Sequence, residues 1–404
     1  MKRILFSSYH NYLDQGSGAA ISVRSVLRLL ANKDWSVRTL TGSYFDDFNY
    51  ARKDFRANLE RRHIRPVAER IKSRVGVREV SFELVQFDDE NISSTVFLAE
   101  DAFGSSRPRN VLSKESEKIF LKLFLDELRT FQPDVYLTYG GYPTALAAAL
   151  IARHMNVKNV FYLCNLGYNN KRLFGEFDAF IVPSRFSQVY YKRLLNVDCR
   201  VLSPLIDESK VLTANNSKRF LTFINPSPEK GLYFFIGIAR ELNRVRPDIP
   251  ILIVEGRSKL TSKGFSQIEK ALTNLSVMEN VTDPRLFYSQ TRILLVPSLC
   301  HETFCRVVVE AAMNKIPVIC SNRGALPETA IDPRYVLDIP NRFTPFSQSV
   351  PNQEEVAPWV EKIVELWDSP NLRDTIGERA RKNSIRYYSE QTSKQVENFF
   401  LNLG

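Results

Sequence analysis

Short apolar runs alternate with longer stretches of helical periodicity along this chain, and the series runs through it twice. The first set covers Arg3–Ser7, Ser36–Leu40, Val80–Val85, Val135–Tyr139, Val160–Leu163, Ala179–Val182 and Cys199–Leu202. The second covers Phe220–Ile224, Ile251–Val254, Leu275–Met278, Ile293–Val296, Val318–Cys320 and Tyr335–Leu337. Helical patterns lie between most of them, among them Ala20–Ala31, Ser113–Phe131, Thr144–Arg153, Leu232–Val245, Gly264–Thr273 and Phe304–Asn314. A strand, helix, strand rhythm calls for parallel sheets with helices on both faces. Runs that read as near-continuous Val, Ile, Leu and Phe fit strands covered on both sides. The expectation is an α/β chain of two Rossmann-like, doubly wound domains in tandem. The polar, weakly patterned stretch Ser203–Ser217 sets the boundary, with domains over 1–205 and 206–385, and the chain from about Asn371 onward reads as helical.

The composition supports two full cores and excludes several classes. Of 404 residues, 44% are hydrophobic and 25% charged, and 16 Gly and 20 Pro are ordinary usage, so collagenous, low-complexity and disordered chains are ruled out. Lys and Arg exceed Asp and Glu by 55 to 45, a net charge of +10 that suits an anionic partner without selecting one. The five cysteines lie far apart or inside apolar runs, form no CxxC pair, and read as buried thiols of a reducing cytoplasm. The N-terminus has only a three-residue apolar run after Lys2-Arg3, too short for a signal peptide. The uncharged run Val135–Ala152 is broken by Gly140, Gly141 and Pro143, which reads as strand, turn and helix and not as a membrane span.

Four places carry chemistry. Gly16-Ser17-Gly18 opens a helix after the first strand, where a close backbone approach and free N–H groups suit a phosphate. As a dinucleotide fingerprint GSGAAI lacks its third glycine, and on this pattern alone a flexible turn is the better reading. The second place is Pro297-Ser298-Leu299-Cys300-His301-Glu302-Thr303-Phe304-Cys305-Arg306, running into a helix that holds Glu310 among Val307, Val308, Val309, Ala311 and Ala312. A helix capped at Thr303 would carry Glu310 about 9 Å beyond Phe304, the span from a sugar phosphate to the far side of a ribose. Glu302 would then lie at a sugar, the N–H groups of Thr303 to Arg306 at a diphosphate, and Glu310 at ribose hydroxyls. The competing reading is an N-capping carboxylate and a structural Glu beside a cation. Third, Asn225-Pro226-Ser227-Pro228-Glu229-Lys230-Gly231 places Lys230 at the carboxyl end of a strand, and fourth, Glu255-Gly256-Arg257 ends the next strand with a second cation.

With these residues in view, the sequence resembles the retaining glycosyltransferases of family 4, which have the GT-B fold. The likeness runs through NPSPEKG, VEGR and PSLCHETFCRVVVEAAMNKIPVICSNRGALPE over about Phe220–Glu328, and more loosely through Gly16–Gly18, FDAFIVPSRFS and VLSPLID in the first half. The resemblance implies a nucleoside-diphosphate sugar as co-substrate, held mainly by residues 206–370. It also implies a glycan or lipid-linked acceptor on residues 1–205 and a terminal helix over 386–404 crossing back to the first domain. It implies retention of anomeric configuration, with Glu302, Lys230 and Arg257 as catalytic residues. Gly16, Gly18, Thr303, Phe304, Cys305, Arg306 and Glu310 would join them around the donor. No tightly bound cofactor and no metal are expected, and no Asp-x-Asp stands at a strand end.

Two departures bear on the site. The family has Gly-Arg before its Lys-Gly, where this chain reads Asn225-Pro226, so Arg257 is the candidate second cation. The family carries a His after the strand that here reads VFYLCN, where Cys164-Asn165 stand, leaving His10, Tyr139 and Asn165 as acceptor-side candidates. The stretch 51–80 holds ten Lys or Arg against four Asp or Glu, among them Arg61, Arg62, Arg65, Arg70, Lys72 and Arg74, with Tyr44, Phe45, Phe48, Tyr50 and Phe55 before and among them. It reads either as a solvated face or as a contact for a phosphorylated or membrane-borne acceptor. The expected enzyme is cytoplasmic, with a peripheral contact at the inner face of the membrane, and acts in envelope or exopolysaccharide synthesis. A Rossmann oxidoreductase is disfavoured because SVRTL ends without an acidic residue, and a nucleic-acid-binding protein because no compact recognition motif appears.

Overall fold

The structure, a computed structural model, describes residues 1–45, 56, 59–60, 62–76, 78–99, 112–141, 143–214, 217–256, 258–260, 274–330 and 332–403. It divides into two compact units. The first comprises residues 1–183, 188–202 and 393–404, the second 184–187 and 203–392.

The first unit is built on strands β1 (Arg3–His10), β2 (Ser36–Tyr44), β3 (Val67–Val75), β4 (Arg78–Asp89), β5 (Ile92–Ala99), β6 (Val135–Thr138), β7 (Lys158–Tyr162), β8 (Ala179–Val182) and β9 (Arg200–Val201). They form one sheet in the order β3-β4-β5-β2-β1-β6-β7-β8-β9. From β5 to β9 every pairing is parallel, whereas β3-β4 and β4-β5 are antiparallel. The sheet is therefore mixed, and the purely parallel expectation is corrected at this edge. The sequence reading took 67–75 for part of a charge run and found no strand at 92–99. In β3 the apolar Ile71 and Val75 turn toward the core while Arg70, Lys72 and Arg74 face out, the period-2 pattern of a half-buried edge strand.

Helix Lys114–Phe131 shows why the core forms here. Ser113 caps it by accepting the Ser116 N–H at 3.1 Å, and Phe120, Phe124, Leu128 and Phe131 align on one face and are buried. It ends at Gln132, whose φ of 50° cannot continue the helix. Residues 393–404 complete the same unit: Phe400, fully buried, meets the edge of Trp35 at 6.2 Å between ring centroids, and Lys2 donates to the Leu401 carbonyl at 2.9 Å.

The second unit holds β10 (Phe220–Ile224), β11 (Ile251–Val254), β12 (Leu275–Met278), β13 (Thr291–Val296), β14 (Val318–Ser321) and β15 (Val336–Leu337), all parallel, in the order β12-β11-β10-β13-β14-β15. β11 is buried along its whole length, as a doubly covered strand must be. Tyr335 ends a short 3-10 turn, so the last strand is shorter than expected. The expected helix Gly264–Thr273 lies outside the described residues.

The terminal segment should matter for the first unit alone. Phe400→Ala removes a fully buried ring and should destabilise that unit by about 3–5 kcal/mol in urea unfolding. A loss below about 1 kcal/mol would mean that the segment is only loosely docked.

Candidate functional site

In the second unit, chain order along the sheet reverses between β10 and β13. An open parallel sheet leaves a crevice at such a switch point, because the connections after the two strands leave in opposite directions. The loop after β10 carries Lys230, and the loop after β13 carries Glu302.

Each loop is locally determined. Ser227 accepts the Lys230 N–H at 3.3 Å and starts a 3-10 turn over Pro228–Lys230. Gly231 follows with φ of 86°, and a Cβ there would collide with the Pro297 carbonyl, so only glycine lets the two loops approach this closely. Across the gap, the Glu229 carbonyl accepts from the Leu299 and Cys300 N–H groups at 2.9 and 3.1 Å. Glu302 is held by the next loop along: its carbonyl accepts the Ala325 N–H at 2.7 Å, and Gly324, with φ of 67°, leaves room for that backbone. Asn225, where the resemblance has Gly-Arg, takes φ of 62° and accepts the Ser258 N–H at 2.9 Å through its side chain.

The two side chains meet. Lys230 Nζ donates to Glu302 Oε1 at 2.7 Å, and Ser298 Oγ donates to the same oxygen at 2.7 Å. Oε2 receives no hydrogen bond from any described residue. The Glu302 side chain is 11% exposed and that of Lys230 27%. Burial disfavours the carboxylate, but Lys230 and the Ser298 hydroxyl outweigh it and hold Glu302 below its ordinary 4.5. Burial likewise disfavours the ammonium, and Glu302 reverses this and raises Lys230 above 10.5. Both groups are charged at neutral pH.

The segment after Glu302 departs from expectation. The helix begins at Arg306 and runs to Met313, with Cys305 in the left-handed conformation at its start, so Thr303 is not its cap. The backbone still runs extended at Glu302, where it bridges to Gly324, and needs the next three residues to turn. Phe304 is buried edge-on against Tyr387 at 5.3 Å, which leaves its backbone alone for any ligand. The helical rise to Glu310 is consequently about 6 Å, shorter than the expected 9 Å.

Glu310 is 8% exposed, and the protein already contacts both its oxygens. Tyr288 donates to Oε2 at 3.0 Å, and Arg306 Nε lies 3.3 Å from Oε1 while its Nη1 donates to the Leu205 carbonyl. Tyr288 is the residue that the sequence reading missed; burial first, and then Glu310, keep its hydroxyl protonated. Arg257 lies outside the described residues.

In the first unit the switch falls between β1 and β6. His10 closes β1, and Tyr139 follows β6, with their rings 5.4 Å apart. Asp14, which nothing in the sequence singled out, binds both candidate features: Oδ2 lies 2.8 Å from His10 Nε2, and Oδ1 accepts the Gly16 N–H at 2.8 Å. Gly18 begins the following helix, and a Cβ there would meet open space. Asn165 is engaged locally, accepting from the Gly167 N–H and donating to the Tyr168 hydroxyl. Of the basic stretch, residues 51–55, 57–58, 61 and 77 lie outside the described residues, as do Phe48 and Tyr50. Arg65, Arg70, Lys72 and Arg74 are exposed, while Arg62 turns inward onto Asp89. Only Cys199 and Cys320 are buried; Cys164, Cys300 and Cys305 are half-buried, which corrects the reading of five core thiols.

Residues 206–383, which lie within the second unit, match the family model of glycosyl transferases group 1. A lipopolysaccharide 1,2-N-acetylglucosaminetransferase of Salmonella typhimurium is 25% identical over 162 residues, which is 38% of this chain and 40% of that protein. The match thus spans less than half the length of this curated relative. Among solved structures, sucrose-phosphate synthase from Thermosynechococcus elongatus superposes with a TM-score of 0.67 at 16% identity, covering 100% of this chain and 99% of that one. HepE from Anabaena, solved with UDP and glucose, does so at 0.65 and 14% identity over the whole of both chains. The fold is GT-B.

The ion pair sets a pH window. The lowered Glu302 value adds stability that is present above pH 4.5 and lost as pH falls through its folded value. The raised Lys230 value adds stability below pH 10.5 that is lost as pH rises through its folded value. Glu302→Gln should therefore cost about 1–3 kcal/mol between about pH 6 and pH 9, a figure reduced from that of a fully buried pair because Lys230 reaches solvent. The deficit should shrink in melts below about pH 4; a deficit unchanged by acid would show that the pair contributes nothing.

Proposed function

We propose that the chain is a glycosyltransferase that moves a sugar from a nucleoside-diphosphate sugar to a glycan or lipid-linked acceptor, with retention of anomeric configuration as in family 4. The observation that carries the reading is the Lys230–Glu302 pair in the switch-point crevice of a group 1 glycosyltransferase domain. The Lys230 ammonium has only one hydrogen-bond acceptor among the described residues, and Glu302 Oε2 has no donor. A sugar diphosphate supplies both missing partners, oxygens for the ammonium and a hydroxyl for Oε2.

The chemistry asks for little beyond this. The bond from the anomeric carbon to the diphosphate oxygen breaks, and the acceptor oxygen bonds to that carbon on the same face. The acceptor proton passes to an oxygen of the departing diphosphate. Negative charge grows on the leaving group as the bond breaks, so a cation already fixed there lowers the barrier. Lys230 has that role here, with the N–H groups that open the Arg306–Met313 helix as further donors. Glu302 orients the sugar through Oε2, and Glu310 receives the ribose hydroxyls with the capacity that Tyr288 and Arg306 leave. Arg257 is the second diphosphate cation. The Gly16–Gly18 turn serves the donor, and His10, Tyr139 and Asn165 serve the acceptor. UDP in HepE and the lipopolysaccharide acceptor in the Salmonella relative's name favour a nucleoside diphosphate and an envelope glycan respectively. No helix of the described residues is long and apolar enough to cross a membrane, and contact with an anionic membrane would fall to the exposed basic residues of β3.

A melting-temperature panel of UDP, GDP, ADP and their sugars tests the reading. One nucleotide should stabilise the protein, since a ligand bound only by the folded state raises stability by mass action. Glu310→Gln should then weaken that nucleotide by roughly 1–3 kcal/mol in a folded protein. No response to any nucleotide would end the proposal, and unchanged affinity in Glu310→Gln would remove the ribose role.

A further inference from the structure

The first unit contains a charge cluster that donor binding does not use. Arg24 and Arg28 lie one turn apart on the helix Gly18–Ala31, and Arg62 reaches the same place from the segment before β3. Asp89, 5% exposed, accepts from Arg62 Nη2 through both oxygens at 2.7 Å and lies 3.6 Å from Arg28 Nη2. Glu90 lies 2.7 Å from Arg28 Nε. Among the described residues three guanidiniums thus share two carboxylates, an excess of one positive charge.

Arg24 is the cation left over. Among the described residues its one hydrogen bond goes from Nη1 to the Leu13 carbonyl at 3.3 Å, and no carboxylate pairs with it. Burial, then Arg28 and Arg62, lower it to about 10, the mark of a cation crowded by its own kind. Arg62 Nη1 is buried without a hydrogen-bond partner. Tyr12, whose hydroxyl meets Ser94 Oγ at 2.7 Å, borders the same group and is kept neutral by burial at about 12. A half-buried cation without a carboxylate and an unsatisfied N–H are costly in a folded protein. An anion with two charges and several acceptor oxygens removes both costs, and the guanidinium fork matches a phosphate with two parallel bonds.

We propose that Arg24, Arg28 and Arg62 form a phosphate-binding site on the first unit that takes a phosphate monoester, whether on a soluble sugar or on a lipid headgroup. It lies beside Leu13, in the loop that leads to Gly16, and does not rest on the donor reading.

The test compares wild type with Arg24→Gln, which leaves the Arg62–Asp89 and Arg28–Glu90 pairs in place. Inorganic phosphate at about 10 mM, with ionic strength held constant by chloride, should raise the wild-type melting temperature by roughly 2–4 °C. The variant should lose at least two-thirds of that rise while its response to a nucleoside diphosphate stays the same. Arg24→Lys, which keeps charge but not the fork, should fall between them. Glycerol phosphate and vesicles containing phosphatidic acid separate the sources: a shift with the first indicates a soluble monoester, and sedimentation with the second that Arg24→Gln abolishes indicates a lipid. An equal phosphate response in wild type and Arg24→Gln, or none in either, would overturn the proposal and leave the cluster as internal packing.

Discussion

The second unit depends on one contact, the 2.7 Å hydrogen bond from Lys230 to Glu302. The parallel sheet places the two residues at its switch point, but the sheet alone does not bring their side chains together. Gly231 does so by letting the β10 loop reach the Pro297 carbonyl, and Gly324 by letting the next loop grip the Glu302 backbone. Without those two glycines the two loops could not approach closely enough for the charges to meet. With them, a half-buried cation and a nearly buried carboxylate cancel each other, which offsets the desolvation each would suffer alone.

The same contact explains how two charges can be stable at this depth and still have bonding capacity left for a ligand. Burial alone works against the ammonium and against the carboxylate, and the pairing reverses both effects. Paired, both stay charged across the neutral range, and each keeps bonding capacity for a ligand. On the proposed reading, donor binding is an exchange of partners within a polar site and not the burial of new charge.

Much of this could be read from the sequence, and the part that could not has a common cause. Lys230 before a glycine and Glu302 in the loop after β13 are local patterns, and the structure brings these two side chains together. The alternation of apolar runs gave the second sheet with only its last strand shortened. What the sequence did not reveal are partners whose contact depends on how the chain folds back: Tyr288 on Glu310 and Asp89 under Arg62 come from other segments, and Asp14 joins His10 and Gly16 only because the loop after β1 turns. Each of those acids and hydroxyls is ordinary in its own neighbourhood. β3 was hidden because its charged residues alternate with its apolar ones, which a composition count merges into a basic run. The helix start was misplaced because Cys305, a residue that rarely takes positive φ, stands where Thr303 offered an easier cap.

The central claim is that Lys230 exchanges Glu302 for the diphosphate, and nucleotide affinity measured over a double-mutant cycle tests it most directly. Calorimetric titration of the selected nucleoside diphosphate into wild type, Lys230→Ala, Glu302→Gln and the double variant separates the two side chains. The account predicts a loss of about 10- to 100-fold in Lys230→Ala, affinity equal to or tighter than wild type in Glu302→Gln, and a double variant as weak as Lys230→Ala. Glu302→Gln binding as weakly as Lys230→Ala would contradict it, because the carboxylate would then be a support for the nucleotide and not a competitor for the ammonium.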